Sequence, residues 1–224
     1  MARITGFLDG KISGKLGNFV YYGKNGKTFL RTIGIRKTDP SSSEIARRKK
    51  FAMSIKLAKS INSVPELKSL WDAYKSSKGS ACNAIQKANY VRVNGDDIYI
   101  AAAIIPDALS FCEPAETVTI SGNMLRFKLN NDETSGIYNN NLRDKAVIAG
   151  VIFMKDVIYS DIVPFRFTGV KGTLEKEGKN DYAVINIEDF TLRAMEAYDS
   201  FTLYFGLVCG DIGFGNFSRT ISKG

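Results

Sequence analysis

The second half of the sequence consists of short runs of β-branched and aromatic residues, and this pattern constrains the fold more than any other feature. The runs begin after about Val91 and are separated by glycine, asparagine and aspartate, which favour turns. The strand-like runs are DDIYIAAAI, ETVTISG, NMLRFKL, KAVIAGVIFM, VIYSDIVPFRF, YAVINI and SFTLYFGLVCG. Such spacing is typical of an antiparallel sandwich or barrel, and we expect an antiparallel β-sandwich, with an immunoglobulin-like topology as one form of it.

Two further patterns in this half argue against a nucleotide-binding fold. Strands do not alternate with helices, which disfavours the parallel sheet of dinucleotide-binding proteins. The glycine-rich stretch GDIGFG at residues 210–215 follows the last long strand-like run, and no helical pattern comes after it. We therefore interpret this stretch as a hairpin turn.

Residues 41–90 show helical periodicity instead. Ser41 and Glu44 have the spacing of a capping box and predict the start of a first helix. Pro65 predicts the start of a second helix, and a third short helix is expected over about residues 80–90. We expect three apolar stripes to face a core. The stripes are Phe51, Ile55, Ala58 and Ile61; Leu67, Leu70, Trp71 and Tyr74; and Ala81, Ala84, Ile85 and Ala88.

The N-terminal segment predicts a β-hairpin rather than a phosphate-binding loop. Asn25-Gly26 is a strong hairpin signal between the β-rich runs NFVYYG and KTFLRTIGIR. Gly26-Lys27-Thr28 resembles the end of a P-loop, but a P-loop needs four residues between its two glycines, and Gly23 is only three positions before Gly26. The residues expected to shape the turns of this segment are Gly14, Gly17, Asn18 and Gly26.

Charge is distributed unevenly along the chain. The net charge is +8, yet residues 1–95 hold 19 Lys and Arg against 5 Asp and Glu, whereas residues 96–224 hold 12 against 18. Residues 11–59 are the most basic part, with Asp39 and Glu44 as their only acids. This segment attracts polyanions, so nucleic acid and an acidic protein surface, including the acidic half of another copy, are both candidate partners. Solvated charge without a specific partner is the third interpretation.

Seven residues of this segment are the predicted docking or nucleic-acid-binding residues. They are Lys24, Lys27, Arg31, Arg47, Arg48, Lys49 and Lys50. For Arg31, a buried structural role is an equal alternative. Tyr21 and Tyr22 would offer stacking surfaces to bases, although we expect one of the two to point inward.

The composition argues against catalysis. The chain has no histidine, which excludes Ser-His-Asp and Cys-His mechanisms and His-ligated zinc. The acidic clusters Asp96-Asp97, Glu175/Glu177 and Glu188-Asp189 read as solvated turn residues more readily than as a glycosidase pair. The cysteines, Cys82, Cys112 and Cys209, are too scattered for a disulfide framework and fit reduced thiols. We expect no enzymatic activity, no cofactor and no metal.

The N-terminal residues lack the apolar core of a signal peptide, and Pro106 and Asp107 interrupt the most apolar run of the chain. The sequence therefore predicts a soluble protein made in a cytoplasm, with no membrane partner.

A set of motifs resembles a family of uncharacterised proteins from Bacteroidota genomes and their phages. The family pattern is G-x-x-G-N-x-V-x-Y, then G-x-x-x-x-R, a Pro-led helix with an Arg and a Phe, a Leu-x-x-x-W step and a β-rich second half. The matching residues are Gly14, Gly17, Asn18, Val20, Gly26, Arg31, Pro40, Arg47, Phe51, Leu67 and Trp71. The resemblance covers about the first ninety residues well and the β-rich half loosely, and RRKKF is more basic than the family pattern. Similar patterns occur among phage structural genes, which implies a virion or assembly component.

Together these features predict an α+β protein. A basic module of a β-hairpin and short helices, residues 1–92, would precede an antiparallel β-domain, residues 93–224. The predicted function is a non-enzymatic structural protein, a multicopy bacteriophage virion component made in the host cytoplasm. Its partners would be other virion proteins or copies of itself, with nucleic acid as a further partner of residues 11–59. The alternative is a nucleic-acid-binding protein of the bacterial cytoplasm.

Overall fold

The structure is a computed structural model of the chain, which divides into two compact units, Met1–Ser41 and Ser42–Gly224. The described residues are 2–3, 14–16, 18–24, 27–33, 39–76, 79–98, 102–108, 117–130, 133–134, 137, 142–159 and 161–223.

The first unit contains a four-stranded antiparallel sheet. Its strands are β1 (Ala2–Arg3), β2 (Gly14–Leu16), β3 (Phe19–Lys24) and β4 (Lys27–Thr32), in the order β1-β4-β3-β2. The predicted hairpin strands pair with Lys24 opposite Lys27, and residues 25 and 26 between them lie outside the described residues. The rings of Tyr22 and Phe29 stack with centroids 5.5 Å apart, so this aromatic pair stabilises the register of the hairpin.

The second unit begins with three helices at the predicted places. They are α1 (Ser42–Ser63), α2 (Pro65–Tyr74) and α3 (Ala81–Tyr90). α1 starts directly after Ser41, and α2 starts at a proline, which suits the first helical position because it lacks an N–H. Ser80 caps α3 by accepting a hydrogen bond from the backbone N–H of Asn83 at 3.2 Å.

The buried face of each helix agrees with the predicted stripes only in part. On α2, Leu67, Leu70 and Trp71 are buried as expected, whereas Tyr74 is half exposed and donates a hydrogen bond to Asp107. On α1, the stripe is rotated from the prediction, and Phe51 is half exposed. The buried residues of α1 are Met53, Ser54, Leu57, Ala58, Ser60 and Ile61.

A closed barrel of seven strands follows the helices. Its strands are β5 (Thr117–Ser121), β6 (Met124–Lys128), β7 (Val147–Val157), β8 (Phe165–Glu177), β9 (Asn180–Asn186), β10 (Tyr198–Cys209) and β11 (Ile212–Lys223). Around the barrel the order is β10-β11-β5-β6-β9-β8-β7, and β7 pairs with β10 to close it. All neighbours are antiparallel except β11 and β5, which are parallel. A 3₁₀ turn at Arg143–Lys145 precedes β7, and a short helix, α4 (Asp189–Met195), precedes β10.

The predicted antiparallel β-sandwich is therefore wrong. Two pairings make the difference: β7 with β10, and β11 with β5. Both pairings join segments that are far apart in sequence. The second places β11, the last strand of the barrel, beside β5, its first strand. Alternation of apolar and polar residues identifies strands, but it does not state which strand edges meet, so a sandwich and a closed barrel share the same local pattern.

The barrel has an inner core and a second core on its outer face. Inward-facing residues such as Phe127, Phe205 and Phe217 fill the interior. The helices pack on the outer face against residues such as Val151 and Phe153 of β7. β7 is consequently buried on both sides from Ile148 to Met154, which explains why this run reads as continuously apolar.

The predicted strand DDIYIAAAI is wrong for its described residues. Val93 and Ile98 form an isolated bridge, and Ala102–Ile105 has no strand partner among the described residues and lies between the helices and the barrel. Side chains hold this segment instead. The carbonyl of Ile104 accepts a hydrogen bond from the Trp71 indole at 2.8 Å, and that of Ala103 accepts one from Asn89 at 3.1 Å.

The other strand-like runs correspond to β5–β10 with shifted ends. VIYSDIVPFRF becomes a strand only from Phe165, and α4 has no counterpart in the predicted elements. GDIGFG forms the expected hairpin turn between β10 and β11, with Cys209 opposite Ile212 and Gly210 at φ 58°. In the described part of the chain, no helix is both long and apolar enough to cross a membrane.

Candidate docking surface

The first turns of α1 carry four of the predicted docking residues. Successive residues of an α-helix are about 100° apart, so Arg47–Lys50 surround the helix rather than form one stripe. Arg47, Arg48 and Lys49 are exposed, and Lys50 is partly exposed. The core begins to cover α1 only at Met53, which leaves the preceding turns open to solvent over most of their circumference.

The basic character of α1 continues along its outer side. Arg48, Lys49, Lys56 and Lys59 lie within roughly 100° of one another around the helix axis, because seven or eleven residues complete nearly whole turns. All four are exposed. We call Arg47, Arg48, Lys49, Lys50, Lys56 and Lys59 the basic surface of α1.

Only part of this charge is compensated. Arg48 pairs with Glu44 one turn earlier at 2.9 Å, and Lys49 lies 3.9 Å from Asp96. Exposed pairs of this kind contribute about 0–1 kcal/mol, so a partner can replace them at little cost. The Lys50 ammonium lies 4.9 Å from the centroid of the Tyr90 ring. The surface therefore keeps a strong positive field.

The remaining predicted residues lie in the first unit. Lys27 and Arg31 are exposed on β4, with Arg31 opposite Val20 in the ladder, so the alternative of a buried Arg31 is not supported. Lys24 ends β3. These three residues belong to the unit Met1–Ser41, whereas Arg47–Lys50 belong to the unit Ser42–Gly224.

Two of the predicted turn residues are described. Gly14 has φ 135°, a conformation that favours glycine. The carbonyl of Asn18 accepts a hydrogen bond from the Ile33 N–H at 2.7 Å. This bond joins the residue before β3 to the residue after β4, at the open end of the hairpin. Gly17 and Gly26 lie outside the described residues.

A cleft of about 690 Å³ lies beside the last turns of α1. We call it the α1–β8 groove. Three cationic residues line it: Lys56 and Lys59 from α1 and Arg166 from β8. Glu188, just before α4, is its one acidic residue. Three cations against one acid give the groove a net positive charge. Within the described residues, none of the three cations makes a salt bridge. The other lining residues are Ser60, Ser63, Val163, Phe165, Phe167, Thr168, Gly169 and Phe190.

The apolar part of the groove is aromatic. The ammonium of Lys56 lies 4.5 Å from the centroid of the Phe165 ring, and Phe167 stacks on Phe153 at 4.8 Å. Phe190 on α4 is 53% exposed, which is unusual for so large an apolar side chain. The groove thus offers cations and aromatic surface to the same ligand.

Gly169 explains how closely α1 approaches β8. A Cβ at this position would lie 2.7 Å from Cγ2 of Val64 and 3.1 Å from the carbonyl oxygen of Ser60. The hydroxyl of Ser60 is buried beside it, and no described residue hydrogen-bonds to it. Ser60, Ser63 and Gly169 line the groove where this close packing occurs.

Arg166 also acts on a neighbouring phenol. Burial raises the pKa of Tyr198, and the positive charge of Arg166 partly opposes this rise. The Tyr198 hydroxyl donates a hydrogen bond to the carbonyl of Val163 at 3.0 Å, which holds the chain just before β8.

Sequence reasoning identified only one wall of the groove. Lys56 and Lys59 belong to the basic segment 11–59, but Arg166, Phe167 and Phe190 are more than a hundred residues further along the chain. No local pattern marks these three residues, because pairing of β8 with β7 and the placement of α4 bring them to α1.

The acidic clusters considered for catalysis are mostly paired with bases. Asp97 binds Lys155 at 2.6 Å. Glu175 and Glu177 flank Arg126 at 3.8 and 2.7 Å. In the part of the chain that the structure describes, no group of three or more acidic or cysteine side chains is placed to hold a metal ion.

Comparisons with known protein families, curated proteins and solved structures found no match at a significant level. The resemblance to the Bacteroidota and phage proteins consequently stays a prediction.

Proposed function

We propose that this chain is a non-enzymatic assembly protein that docks on an acidic neighbouring protein through the basic surface of α1. Following the resemblance, we further propose that it is a multicopy bacteriophage virion component. The observation that carries the docking proposal is the exposure of Arg47, Arg48 and Lys49 on helical turns that extend past the core.

Rigid placement supports this role. A 22-residue helix, anchored by its last three turns in the core, presents these charges in a fixed arrangement. Fixed charges lose less conformational freedom on binding than charges on a flexible loop. The second half of the chain has an excess of acids, so another copy offers a complementary surface.

The alternative function, nucleic-acid binding, uses the same charges and makes a different prediction. Its affinity would fall steeply as salt rises, because each phosphate contact releases a counterion. Docking on protein requires no nucleic acid at all.

Light scattering coupled to size exclusion tests the proposal on the purified full chain, with and without nuclease and at low and high salt. We expect defined oligomers that persist after nuclease. Charge reversal by Arg47→Glu, Arg48→Glu and Lys49→Glu together should raise the monomer fraction.

Three exposed lysines away from this surface supply the matched control. Lys68→Glu, Lys176→Glu and Lys179→Glu change the net charge by the same amount and should leave the oligomers intact. A monomer that carries nucleic acid and releases it at high salt would contradict the assembly proposal and favour the alternative.

A further inference from the structure

Strand β8 is paired along both edges over only part of its length. It pairs with β7 from Phe165 to Thr173, but with β9 only from Gly172 to Glu177. The segment Phe165–Lys171 therefore has one edge without a strand partner among the described residues.

The path of the chain after β9 leaves this edge open. β9 ends at Asn186, and the N–H of Ile187 donates a hydrogen bond to the carbonyl of Asn123 in the β5–β6 turn at 2.7 Å. The chain thus turns from β8 towards β6, and then forms α4 at Asp189.

The open edge has hydrogen-bonding groups to offer. In an antiparallel ladder, alternate residues direct their N–H and C=O groups to opposite sides of the strand. In Phe165–Val170, the groups on the side away from β7 have no hydrogen-bond partner among the described residues. Such an edge is a template for an added strand.

The α1–β8 groove runs along this edge. Its residues from β8 are Phe165–Gly169, and Lys59 and Arg166 place positive charge beside them. A smaller cleft lined by Gly169, Val170 and Lys171 continues along the same edge. The edge is thus accessible over most of its unpaired length, and the α1–β8 groove beside it has three cations against one acid, Glu188.

The chemistry of the groove favours an acidic peptide. Acidic side chains on one face of an added strand would pair with Arg166, and apolar side chains on alternate residues would contact Phe167 on the face towards α1, where Lys59 adds positive charge. An extended peptide also has N–H and C=O groups that match the strand edge, whereas a nucleic acid has no such repeating pair. The strand edge therefore favours peptide over nucleic acid.

We propose that an acidic, extended segment of a partner protein adds as a strand to β8 at Phe165–Lys171. The site shares Lys59 with the basic surface of α1 but does not include Arg47–Lys50, and it goes beyond the proposed function because it requires no docking by the first turns of α1. Such a site would select a partner segment in which acidic and apolar residues alternate.

Fluorescence anisotropy with a labelled eight-residue peptide of alternating glutamate and valine tests the proposal on the full chain. We expect saturable binding that weakens by about tenfold or more when alternate peptide nitrogens are methylated, since methylation removes the donors of strand addition. The same peptide with lysine in place of glutamate should not bind.

Two sets of variants locate the binding. Lys59→Glu with Arg166→Glu should weaken peptide binding by about tenfold or more, whereas Lys68→Glu with Lys87→Glu should leave it unchanged. If the first pair fails to fold, Lys59→Gln with Arg166→Gln replaces it. Arg47→Glu with Arg48→Glu, which tests the proposed function, should leave peptide binding intact, so failure of either proposal is seen separately.

Hydrogen exchange measures directly whether the backbone amides of this strand edge become protected. Bound peptide should slow exchange of backbone amides within Phe165–Lys171. Absence of binding, equal binding of the methylated peptide, or unchanged exchange in this segment would overturn the proposal. Tighter binding of an oligothymidine probe that is lost in the Lys59/Arg166 variants would also overturn it, in favour of nucleic acid.

Discussion

Arg219 and Glu133 form an ion pair inside the β-barrel. The Nη2 of Arg219 donates to both carboxylate oxygens of Glu133, at 2.6 and 2.8 Å, and both side chains are buried. The guanidinium lies 5.6 Å from the ring centroids of Phe127 and Phe205. Arg219 shares the inward face of β11 with Phe217, since side chains of a strand alternate. The pair therefore connects β11 to a segment that precedes β7.

Removing one partner of this pair should be strongly destabilising. Glu133→Ala leaves a buried guanidinium without its carboxylate, and we expect a loss of about 3–5 kcal/mol in the free energy of unfolding. Replacing both residues, as Glu133→Leu with Arg219→Met, should cost much less, because no charge stays buried. Urea denaturation measures both. Equal losses for the single and double variants would contradict the explanation that an unpaired buried charge destabilises the barrel.

Asn216 should contribute to the stability of the fold as strongly as a buried apolar residue. Its Oδ1 accepts hydrogen bonds from the N–H groups of Ile104 and Ile105, at 2.7 and 2.6 Å, and its Nδ2 donates to the carbonyls of Ile105 and Ala108. Asn216→Asp removes both donors and places a carboxylate against two carbonyls. We expect a loss of about 2–4 kcal/mol by thermal or chemical denaturation.

The exposed Asn83 on α3 supplies the control for Asn216. Asn83→Asp should change the stability by less than about 0.5 kcal/mol. Similar effects at the two positions would refute the bridging role of Asn216.

Gly206 on β10 should not tolerate a side chain. A Cβ there would lie 2.4 Å from Cγ1 of Ile105 and 2.8 Å from the carbonyl oxygen of Gly215. Gly206→Ala should therefore destabilise the second unit by about 1–3 kcal/mol through overpacking. Gly23→Ala on β3 is the matched control, because the nearest atom to its Cβ is 4.0 Å away. Tolerance of alanine at both positions would contradict the close packing of Ile105 on β10.

Glu66 should make the stability depend on pH. Burial of its carboxyl opposes ionisation, but the hydrogen bond from Lys171, the hydrogen bond from the backbone N–H of Glu66 itself and the charge of Lys171 together outweigh burial and lower the pKa below the ordinary 4.5. A lowered pKa stabilises the folded state above the ordinary value, and this contribution is lost as the pH falls through the folded-state pKa. Since the pair joins α2 to β8, we expect loosening of this contact in acid.

Glu66→Gln measures this contribution. Lys171 is more than half exposed, so the substitution should reduce stability at pH 7 by no more than about 1 kcal/mol. The difference between the two proteins should shrink as the pH falls below 4.5. A difference that stays constant down to pH 3 would show that the carboxylate charge does not contribute.

The sequence alone determined the local elements. The capping pair at Ser41 and Glu44, the proline at residue 65 and the periodic apolar residues predicted three helices, because these signals act within one or two turns of chain. Runs of β-branched and aromatic residues predicted most strands for the same reason. The basic segment identified Arg47–Lys50 as exposed charges.

Only the tertiary structure decided how these elements combine. Whether strands form a sandwich or a closed barrel depends on which edges meet, and the contact of β11 with β5 joins residues about a hundred positions apart. The groove depends on the same long-range pairing, because Arg166 and Phe190 reach α1 only through the positions of β8 and α4. Local sequence encodes local conformation, whereas strand partners are selected by the burial and hydrogen bonding of the whole chain.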